Sequence, residues 1–311
     1  MCIRDRLMNR LVDEAAQRRP SLAVLVDSPD FNLRLARRLG GLGIPVVLYV
    51  SPQLWAWRQG RVHKVRRLAR EVLCILPFET DFYRHHGVPV RYVGHPLVDD
   101  LAGEETPEGR SDRRLALLPG SRSMEVRNLL PAMLRALSRL PGDLVSEAVL
   151  VEAPGMADVI TEVLGGEEVD GRLFRVAGER RRGKLGSCGA AWTASGTATL
   201  ECALLDVPMI VGYRLKRLSW WLAKRLVKVP HAALANLIAG GPVVPELLQN
   251  EWNADRISDL TCAMLRDGGF ARQRRHLAVI RERLGEPGAS ECAARAVLEH
   301  IRRPQIDDQE E

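Results

Sequence analysis

The chain has 311 residues, of which 46% are hydrophobic, enough to fill the cores of about two domains. Its formal charge of +6 favours an anionic partner, namely nucleic acid, a phosphorylated ligand or a membrane surface, whereas 5% aromatic residues disfavour stacking on single strands. The six cysteines contain no C-x-x-C pair, so they indicate neither a zinc site nor a disulfide framework and suit the reducing cytosol.

The first hundred residues alternate between apolar runs and helical patterns. Residues 22–27, 45–50 and 71–76 are short β-branched runs, which are typical of buried parallel strands. Between the first two runs, residues 31–40 predict a helix that is closed by Gly40 and Gly41. No run reaches the roughly 18 apolar residues of a membrane span, and the N-terminus lacks the apolar stretch of a signal peptide.

The alternation stops at the acidic, Gly/Pro-containing stretch 101–112, which reads as a linker, and then resumes. Strands are predicted at 114–119, 145–151, 172–176, 189–193 and 207–211, and helices from 253 onward. The fold class is therefore α/β, with two Rossmann-like doubly wound domains and a cleft between them. We expect domains at 1–108 and 109–285, a helix at 286–303 that packs back or forms a dimer interface, and an acidic, disordered tail at 304–311.

Two long stretches contain no Asp or Glu. Residues 31–70 carry nine Lys or Arg, residues 207–245 carry six, and each stretch holds a tryptophan pair. Tryptophan prefers the boundary between lipid and water, and cations are drawn to anionic headgroups, so the pattern is typical of a membrane surface. The alternative is that the tryptophans are core residues beneath a solvated basic face. Nucleic acid would also explain the charge, but no nucleic-acid-binding motif is present.

The turn L-L-P-G-S-R-S (117–123) follows a predicted strand and opens a predicted helix. Gly120 permits a tight turn, and the amides from Ser121 onward would face an anion at the positive end of the helix dipole. Arg122 would add a bidentate contact to phosphate oxygens. The alternative is an ordinary strand–helix turn in which Ser121 is the N-cap.

The segment T-A-S-G-T-A-T-L-E (193–201) has the same strand–turn–helix arrangement. Its small residues allow a ligand to approach the backbone amides, and Glu201 would accept hydrogen bonds from the hydroxyls of a ribose. Glu201 could equally be a helix-start charge or a surface ion pair. The two turns together predict a nucleoside diphosphate at the C-terminal ends of the second domain's strands.

Asp27 ends the first predicted strand, where a carboxylate can face a cleft and act as a general base. The alternative is local, with Ser28 capping a helix whose first residue is Pro29. His95, in V-G-H-P-L, also follows a predicted strand, and a histidine before proline in a turn is more often structural.

Several segments, in order along the chain, resemble the lipid-A-disaccharide synthase family. They are S-P-Q-L-W-A-W-R-Q-G-R-V, L-P-F-E-T-D-F-Y, Y-V-G-H-P-L-V-D, L-L-P-G-S-R-S-M-E-V, A-S-G-T-A-T-L-E, V-P-M-I-V-G-Y-R, L-V-K-V-P, N-L-I-A-G and V-V-P-E-L-L-Q. The resemblance runs from about residue 20 to residue 300. Each motif is weak by itself, and the ordered set is specific.

The resemblance implies an inverting glycosyltransferase of GT-B type. Its substrates would be UDP-2,3-diacylglucosamine and 2,3-diacylglucosamine 1-phosphate, joined with release of UDP. It implies no metal and no cofactor, no nucleic-acid partner, and a peripheral position on the cytoplasmic face of the inner membrane of a Gram-negative bacterium. A homodimer is a further expectation.

The resemblance also implies roles for individual residues. Asp27 corresponds to the family's proposed general base. The UDP-sugar-binding set is expected to contain Ser121, Arg122, Ser195, Gly196, Thr197, Glu201, Asn236 and Gln249. A lipid-facing edge framed by cations would be formed by Trp55, Trp57, Arg58, Arg61, Lys64, Trp220, Trp221, Lys224, Arg225 and Lys228.

The chain departs from the family at its start. The family's first strand and Gly-rich turn find no match, and M-C-I-R-D-R resembles nothing in the family and is assigned no role. We therefore expect an exposed sheet edge, an incomplete acceptor cleft and uncertain activity. Two alternatives follow: an enzyme like UDP-N-acetylglucosamine 2-epimerase, or a fragment that binds UDP and membranes without turnover.

Overall fold

The computed structural model describes residues 3–102, 109–216, 220–221, 225 and 229–302. The chain divides into two compact units. The first unit contains the residues up to Asp100 and those from Leu284 onward, and the second contains most of the residues between them. The predicted acidic tail lies outside the described residues. None of the described helices is both long and apolar enough to cross a membrane.

The first unit begins with a helix and continues as alternating strands and helices. Its elements are α1 Ile3–Arg18, β1 Ala23–Val26, α2 Pro29–Gly40, β2 Val46–Tyr49, a 3₁₀ turn Gln59–Arg61, α3 Val62–Leu68, β3 Glu71–Cys74, α4 Glu79–His85, β4 Val90–Tyr92, α5 Pro96–Leu101 and, from the end of the chain, α13 Ala289–Arg302.

The four strands of this unit form a parallel sheet in the order β1-β2-β3-β4. One core joins β2 and β3 to α2 and α3 through residues such as Leu35, Leu39 and Val65. A second core places Ala293 and Ala296 of α13 against the opposite sheet face. The side chain of Val26, on the edge strand β1, is 54% exposed. The sequence predicted β1, β2 and β3 but neither α1 nor α4.

The helix α13 is fixed to the first unit by polar contacts. The carboxylate of Asp99 accepts hydrogen bonds from the backbone amides of Gly288, Ala289 and Ser290, at 2.6–3.1 Å. The carboxylate of Glu299 accepts two hydrogen bonds from Arg91, from Nη1 at 3.1 Å and from Nη2 at 3.0 Å. The carboxylate of Asp99 therefore caps the start of α13, where the helix dipole favours a negative charge.

The second unit contains six strands and seven of the described helices. Its elements are β5 Ser111–Leu118, α6 Ser123–Arg139, β6 Glu147–Val151, α7 Ala157–Gly165, β7 Leu173–Val176, α8 Arg180–Gly186, β8 Cys188–Ala194, α9 Thr197–Leu204, β9 Met209–Tyr213, α10 Leu234–Ala239, β10 Glu246–Leu248, a 3₁₀ turn Gln249–Glu251, α11 Ala254–Arg266 and α12 Gly269–Leu284.

These strands form a parallel sheet in the order β10-β9-β8-β5-β6-β7. The chain builds outward from β5 in one direction through β6 and β7, and then in the other direction through β8, β9 and β10. The order therefore reverses between β5 and β8, and ligands of open α/β sheets bind at such a switch point. Trp192 and Trp252 are buried in this unit's core. The predicted α/β class is confirmed, and β10 is a strand that the sequence did not predict.

Candidate functional site

The turn after β5 is held by a carboxylate from the next helix. Oε2 of Glu125 accepts a hydrogen bond from the amide of Ser121 at 3.1 Å, and Oε1 accepts one from Arg122 at 3.0 Å. Gly120 has φ 119°, and a Cβ there would lie 2.5 Å from Glu125. Arg122, not Ser121, is the N-cap of α6, so that alternative is wrong. The Ser121 amide is already paired, so an anion at that amide would compete with Glu125.

The turn after β8 presents small residues and one exposed hydroxyl. Gly196 has φ 141° and ψ −156°, a conformation that essentially only glycine adopts. The hydroxyl of Ser195 donates to the carbonyl of Ala232 at 2.7 Å, whereas Thr197, the first residue of α9, is exposed. The free polar surface of this turn is therefore the start of α9.

Glu201 lies in the buried part of α9 and is paired with arginines of α8. Its carboxylate is 3.3 Å from Nη2 of Arg181 and 3.3 Å from Nε of Arg182. The ion-pair alternative of the sequence analysis holds in part, because the pair exists but Glu201 itself is only 5% exposed. Its role toward a ribose stays a prediction.

Asn236 does not offer its amide to a ligand. It is 1% exposed. Its Nδ2 donates to the carbonyl of Val244 and to Glu246, and its Oδ1 accepts from the amides of Val243 and Val244. The prediction of a direct contact to a nucleotide-sugar is therefore corrected. Asn236 holds the segment 243–246 in place.

Gln249 is also engaged with the backbone. Its amide donates to the carbonyl of Leu215 and accepts from the amide of Leu215, both at 3.0 Å. Its φ of 55° lies in the left-handed region. The side chain is half-buried, so it positions the loop after β9 rather than presenting a free polar group.

Glu246, which the sequence motifs did not single out, organises this edge. Its carboxylate accepts hydrogen bonds from the amides of Ala232 and Ala233 at 2.9 and 3.0 Å, just before α10 begins. Ala232 in turn accepts the hydroxyl of Ser195. A signal was present, because Glu246 is the first acid after the acid-free stretch 207–245.

The two turns lie next to each other at the switch point. Leu118, the last residue of β5, is in register with Thr193 near the end of β8. Because carboxyl ends of parallel strands share one edge, the turns 119–122 and 195–197 flank the position where the strand order reverses. The structure therefore brings Arg122, Gly196 and Thr197 to one edge of the second unit's sheet.

In the first unit, Asp27 follows β1 in a strained turn. Asp27 has φ 50° and Ser28 has φ 43°, a conformation that costs non-glycine residues on the order of 1–3 kcal/mol each. The amide of Asn32 donates to the carbonyls of Val26 and Asp27, which holds this turn. Ser28 precedes Pro29 at the helix start but makes no side-chain capping hydrogen bond. The Asp27 carboxylate is exposed.

The contacts of His95 support the interpretation that this residue is structural. It is 7% exposed, and its Nδ1 accepts the amide of Leu97 at 3.1 Å. Burial lowers the pKa of His95, which is consistent with a neutral ring that accepts a backbone hydrogen bond.

The tryptophans of the first basic stretch differ in burial. Trp55 is 7% exposed, and its Nε1 donates to Oε1 of buried Glu79 at 2.8 Å. The prediction that Trp55 contacts lipid is therefore corrected, since its ring lies in the interior against Phe78. Trp57 is 40% exposed, and the guanidinium of Arg58 lies 4.2 Å from its ring centroid.

The second basic stretch shows the same stacking. Trp221 is 53% exposed, and the guanidinium of Arg225 lies 3.9 Å from its ring centroid. Trp220 is half-buried. Lys224 and Lys228 lie outside the described residues.

In the first unit, Arg61 is not a free cation, because its Nη1 donates to Asp30 at 2.6 Å. Across the described part of the chain, no cluster of three or more His, Cys, Asp or Glu could hold a metal ion.

The model of the Lipid-A-disaccharide synthetase family matches residues 3–300. The chain belongs to this family. A curated lipid-A-disaccharide synthase of Myxococcus xanthus is 42% identical over 311 residues, covering 94% of this chain and 79% of that protein. One of Nitrosococcus oceani is 41% identical over 261 residues, covering 81% of this chain and 67% of that protein.

Solved structures with low identity share the fold. A UDP-N-acetylglucosamine 2-epimerase of Neisseria meningitidis bound to UDP-N-acetylglucosamine is 11% identical, with a TM-score of 0.65 over 96% of this chain and 81% of that one. Spinosyn rhamnosyltransferase is 18% identical, with a TM-score of 0.55 over 94% and 76%. The GT-B-type fold is therefore confirmed. The epimerase alternative is not favoured, because the relatives at 42% identity are synthases.

The family match also corrects one expectation about the start of the chain. The family motifs in the sequence begin near residue 20, and residues 1–6 have no assigned role in the resemblance. The match begins at residue 3, and Ile3–Arg18 forms α1, whose Met8 is buried in the first unit's core.

Proposed function

We propose that this synthetase-family chain transfers the diacylglucosamine of UDP-2,3-diacylglucosamine to 2,3-diacylglucosamine 1-phosphate and releases UDP. The observation that carries the proposal is the pairing of β5 with β8 up to Leu118, the last residue of β5, and Thr193, the residue before the last of β8. This pairing sets two small-residue turns side by side at the switch point of the second sheet.

The second unit would hold the UDP moiety. Arg122 is exposed and would contact phosphate oxygens, and the exposed Thr197 lies at the start of α9, where the helix dipole favours an anion. Glu201 would accept ribose hydroxyls while its two arginines neutralise its charge. These contacts would also stabilise the negative charge that UDP gains as it leaves.

Asp27 would act as the general base. Its exposed carboxylate takes the proton of the acceptor's 6-hydroxyl as that oxygen bonds to the anomeric carbon of the donor sugar. The bond between that carbon and the UDP oxygen breaks with its electron pair on UDP. Because the hydroxyl oxygen attacks the face of the anomeric carbon opposite UDP, the configuration inverts. A positioned base contributes about 10²–10⁴-fold to such a step.

The reaction is tested with wild type, Asp27→Asn and the matched control Asp81→Asn, an exposed carboxylate elsewhere in the first unit. Disaccharide is measured by mass spectrometry and UDP binding by calorimetry. We expect product from wild type and Asp81→Asn, a loss of about 10²–10⁴-fold in Asp27→Asn, and equal UDP binding in all three. Full activity of the Asp27→Asn variant would show that Asp27 is not the general base. UDP binding without any product in wild type favours the non-catalytic alternative.

We further propose that the chain works as a peripheral protein on the cytoplasmic face of the inner membrane. The support is that Trp57 and Trp221 are exposed and each carries a stacked arginine. An exposed aromatic ring beside a cation suits the headgroup region of an anionic bilayer. Self-association into a homodimer is a separate expectation, which sedimentation equilibrium measures.

Membrane binding is tested by sedimentation with phosphatidylglycerol vesicles. Trp57→Ala and Trp221→Ala should each weaken binding, and high salt should release wild type, because surface electrostatics are screened. Phe174→Ala serves as the control, because it removes an exposed aromatic ring of β7 on which no arginine stacks among the residues that the structure describes. Unchanged binding in both tryptophan variants refutes this part of the proposal.

A further inference from the structure

A basic groove runs between α2 and α3 of the first unit. Its volume is about 560 Å³, within the range of small-molecule sites. The lining consists of five cations, one carboxylate and three apolar residues, namely Arg34, Arg37, Arg61, Lys64, Arg67, Asp30, Pro29, Leu33 and Leu68.

The spacing of these cations explains why they converge. Arg34 and Arg37 are three residues apart on α2, and Lys64 and Arg67 are three apart on α3. Side chains three apart lie on one face of a helix, so each helix presents a row of positive charge to the groove. Leu33 and Leu68 contribute apolar surface to the same lining.

Part of this charge is neutralised and part is not. Asp30 pairs with Arg61 at 2.6 Å and lies 3.9 Å from Arg58, and the Arg61 hydrogen bond lowers the pKa of Asp30. Among the described residues, Arg37, Lys64 and Arg67 have no carboxylate within ion-pair distance. Three like charges around one concavity repel one another, and a multiply charged anion removes that repulsion.

We propose that this groove binds the phosphomonoester of the acylated sugar acceptor, an inference that rests on the proposed transferase function. A phosphomonoester carries about −1.5 to −2 charges at neutral pH and several acceptor oxygens, which match two or three guanidinium or ammonium groups. The carbon skeleton of the sugar contacts Leu33 and Leu68. The groove begins at Pro29, two residues beyond Asp27, so an acceptor anchored here by its phosphate is held at the β1 edge that carries the base.

The test measures binding of 2,3-diacylglucosamine 1-phosphate and of its dephosphorylated analogue in detergent micelles, without donor. The variant Arg37→Gln/Lys64→Gln/Arg67→Gln neutralises three exposed cations of the groove. The control Arg6→Gln/Arg10→Gln/Arg84→Gln makes the same charge change at exposed positions of the same unit outside the groove. We expect wild type and control to prefer the phosphorylated ligand by about tenfold or more, the effect of one charged hydrogen bond, and the groove variant to lose that preference.

Two further arms separate the possible causes. If the groove variant keeps the phosphate preference but loses binding to phosphatidylglycerol vesicles, the groove serves lipid headgroups and the proposal is overturned. Turnover measured in parallel separates the two proposals. Normal turnover with an unchanged acceptor KM in the groove variant refutes phosphate binding by the groove and leaves the proposed reaction standing. Absence of turnover in wild type, with a phosphate preference that the groove variant loses, refutes the reaction and supports the groove.

Discussion

The indole Nε1 of Trp55 donates a 2.8 Å hydrogen bond to Oε1 of Glu79, and both side chains are buried. The other carboxylate oxygen accepts the amide of Leu76 at 3.1 Å. A second contact, from the hydroxyl of Tyr83 to the carbonyl of Pro52 at 2.6 Å, ties the same loop to α4. The loop 51–58 is therefore anchored through its interior residues, and Trp57 is left outside.

Replacing the two tryptophans should have unequal effects on stability. Trp55→Ala opens a cavity and removes a donor from a buried carboxylate, so we expect a loss of about 3–5 kcal/mol in the free energy of unfolding. Trp57→Ala removes an exposed ring and should change it by less than about 0.5 kcal/mol. Urea titration followed by circular dichroism measures both. Equal losses would contradict the assignment of Trp55 to the interior.

The buried Glu79 should make stability depend on pH. Burial raises the pKa of Glu79 above its ordinary value of 4.5, against the opposing effect of its hydrogen bonds. The folded state therefore holds this proton more tightly than the unfolded state. The resulting stabilisation is fully present below pH 4.5 and is lost as the pH rises through the folded-state pKa.

Urea titrations at several pH values, comparing wild type with Glu79→Gln, isolate this contribution. The difference in unfolding free energy between wild type and Glu79→Gln should change as the pH rises from 4.5 through the folded-state pKa of Glu79. The control Asp81→Asn removes an exposed carboxylate of the same helix, so it separates the effect of burial from the loss of a carboxylate as such. A difference between wild type and Glu79→Gln that is independent of pH would contradict the assignment.

Gly196→Ala tests the turn after β8 by its backbone alone. A Cβ at Gly196 would meet no atom within 4 Å, so the expected effect comes from φ 141° and amounts to about 1–3 kcal/mol of stability. UDP should also bind more weakly, because the turn must relax. Gly171→Ala, which likewise meets no atom but lacks a positive φ, is the control. Thermal unfolding and calorimetry measure both effects, and identical behaviour of the two variants would refute this role for Gly196.

Glu201→Ala distinguishes ribose recognition from a purely structural ion pair. Wild type should prefer UDP over 2′-deoxy-UDP, since a hydrogen bond to a carboxylate contributes about 1.5–3 kcal/mol. Glu201→Ala should bind both nucleotides equally, whereas Glu168→Ala, at an exposed position of the same unit, should keep the preference. If Glu201→Ala retains the preference, its contacts with Arg181 and Arg182 are its whole role.

The sequence predicted the alternation of strands and helices because buried parallel strands are continuous apolar runs. It could not tell Trp55 from Trp57, because the partner that draws Trp55 inward, Glu79, lies 24 residues away. Arg61 and Asp30 meet across 31 residues with no local pattern. The pairing of Glu125 with the turn after β5 was not predicted, because the sequence suggested Ser121 as the N-cap, four residues before Glu125, whereas α6 has Arg122 as its N-cap.

The first unit is assembled from both ends of the chain, since α13 covers Val47, Leu73 and Val93 on one sheet face. A ribosome finishes the strands of this sheet by Tyr92 but does not produce Ala293 until some 200 residues later. At about 5–20 residues per second, that apolar face stays uncovered for on the order of 10–40 seconds in every newly made molecule. The second unit is synthesised complete within this interval, so the nascent protein passes through a stage in which its later half can fold while its earlier half still waits for a helix.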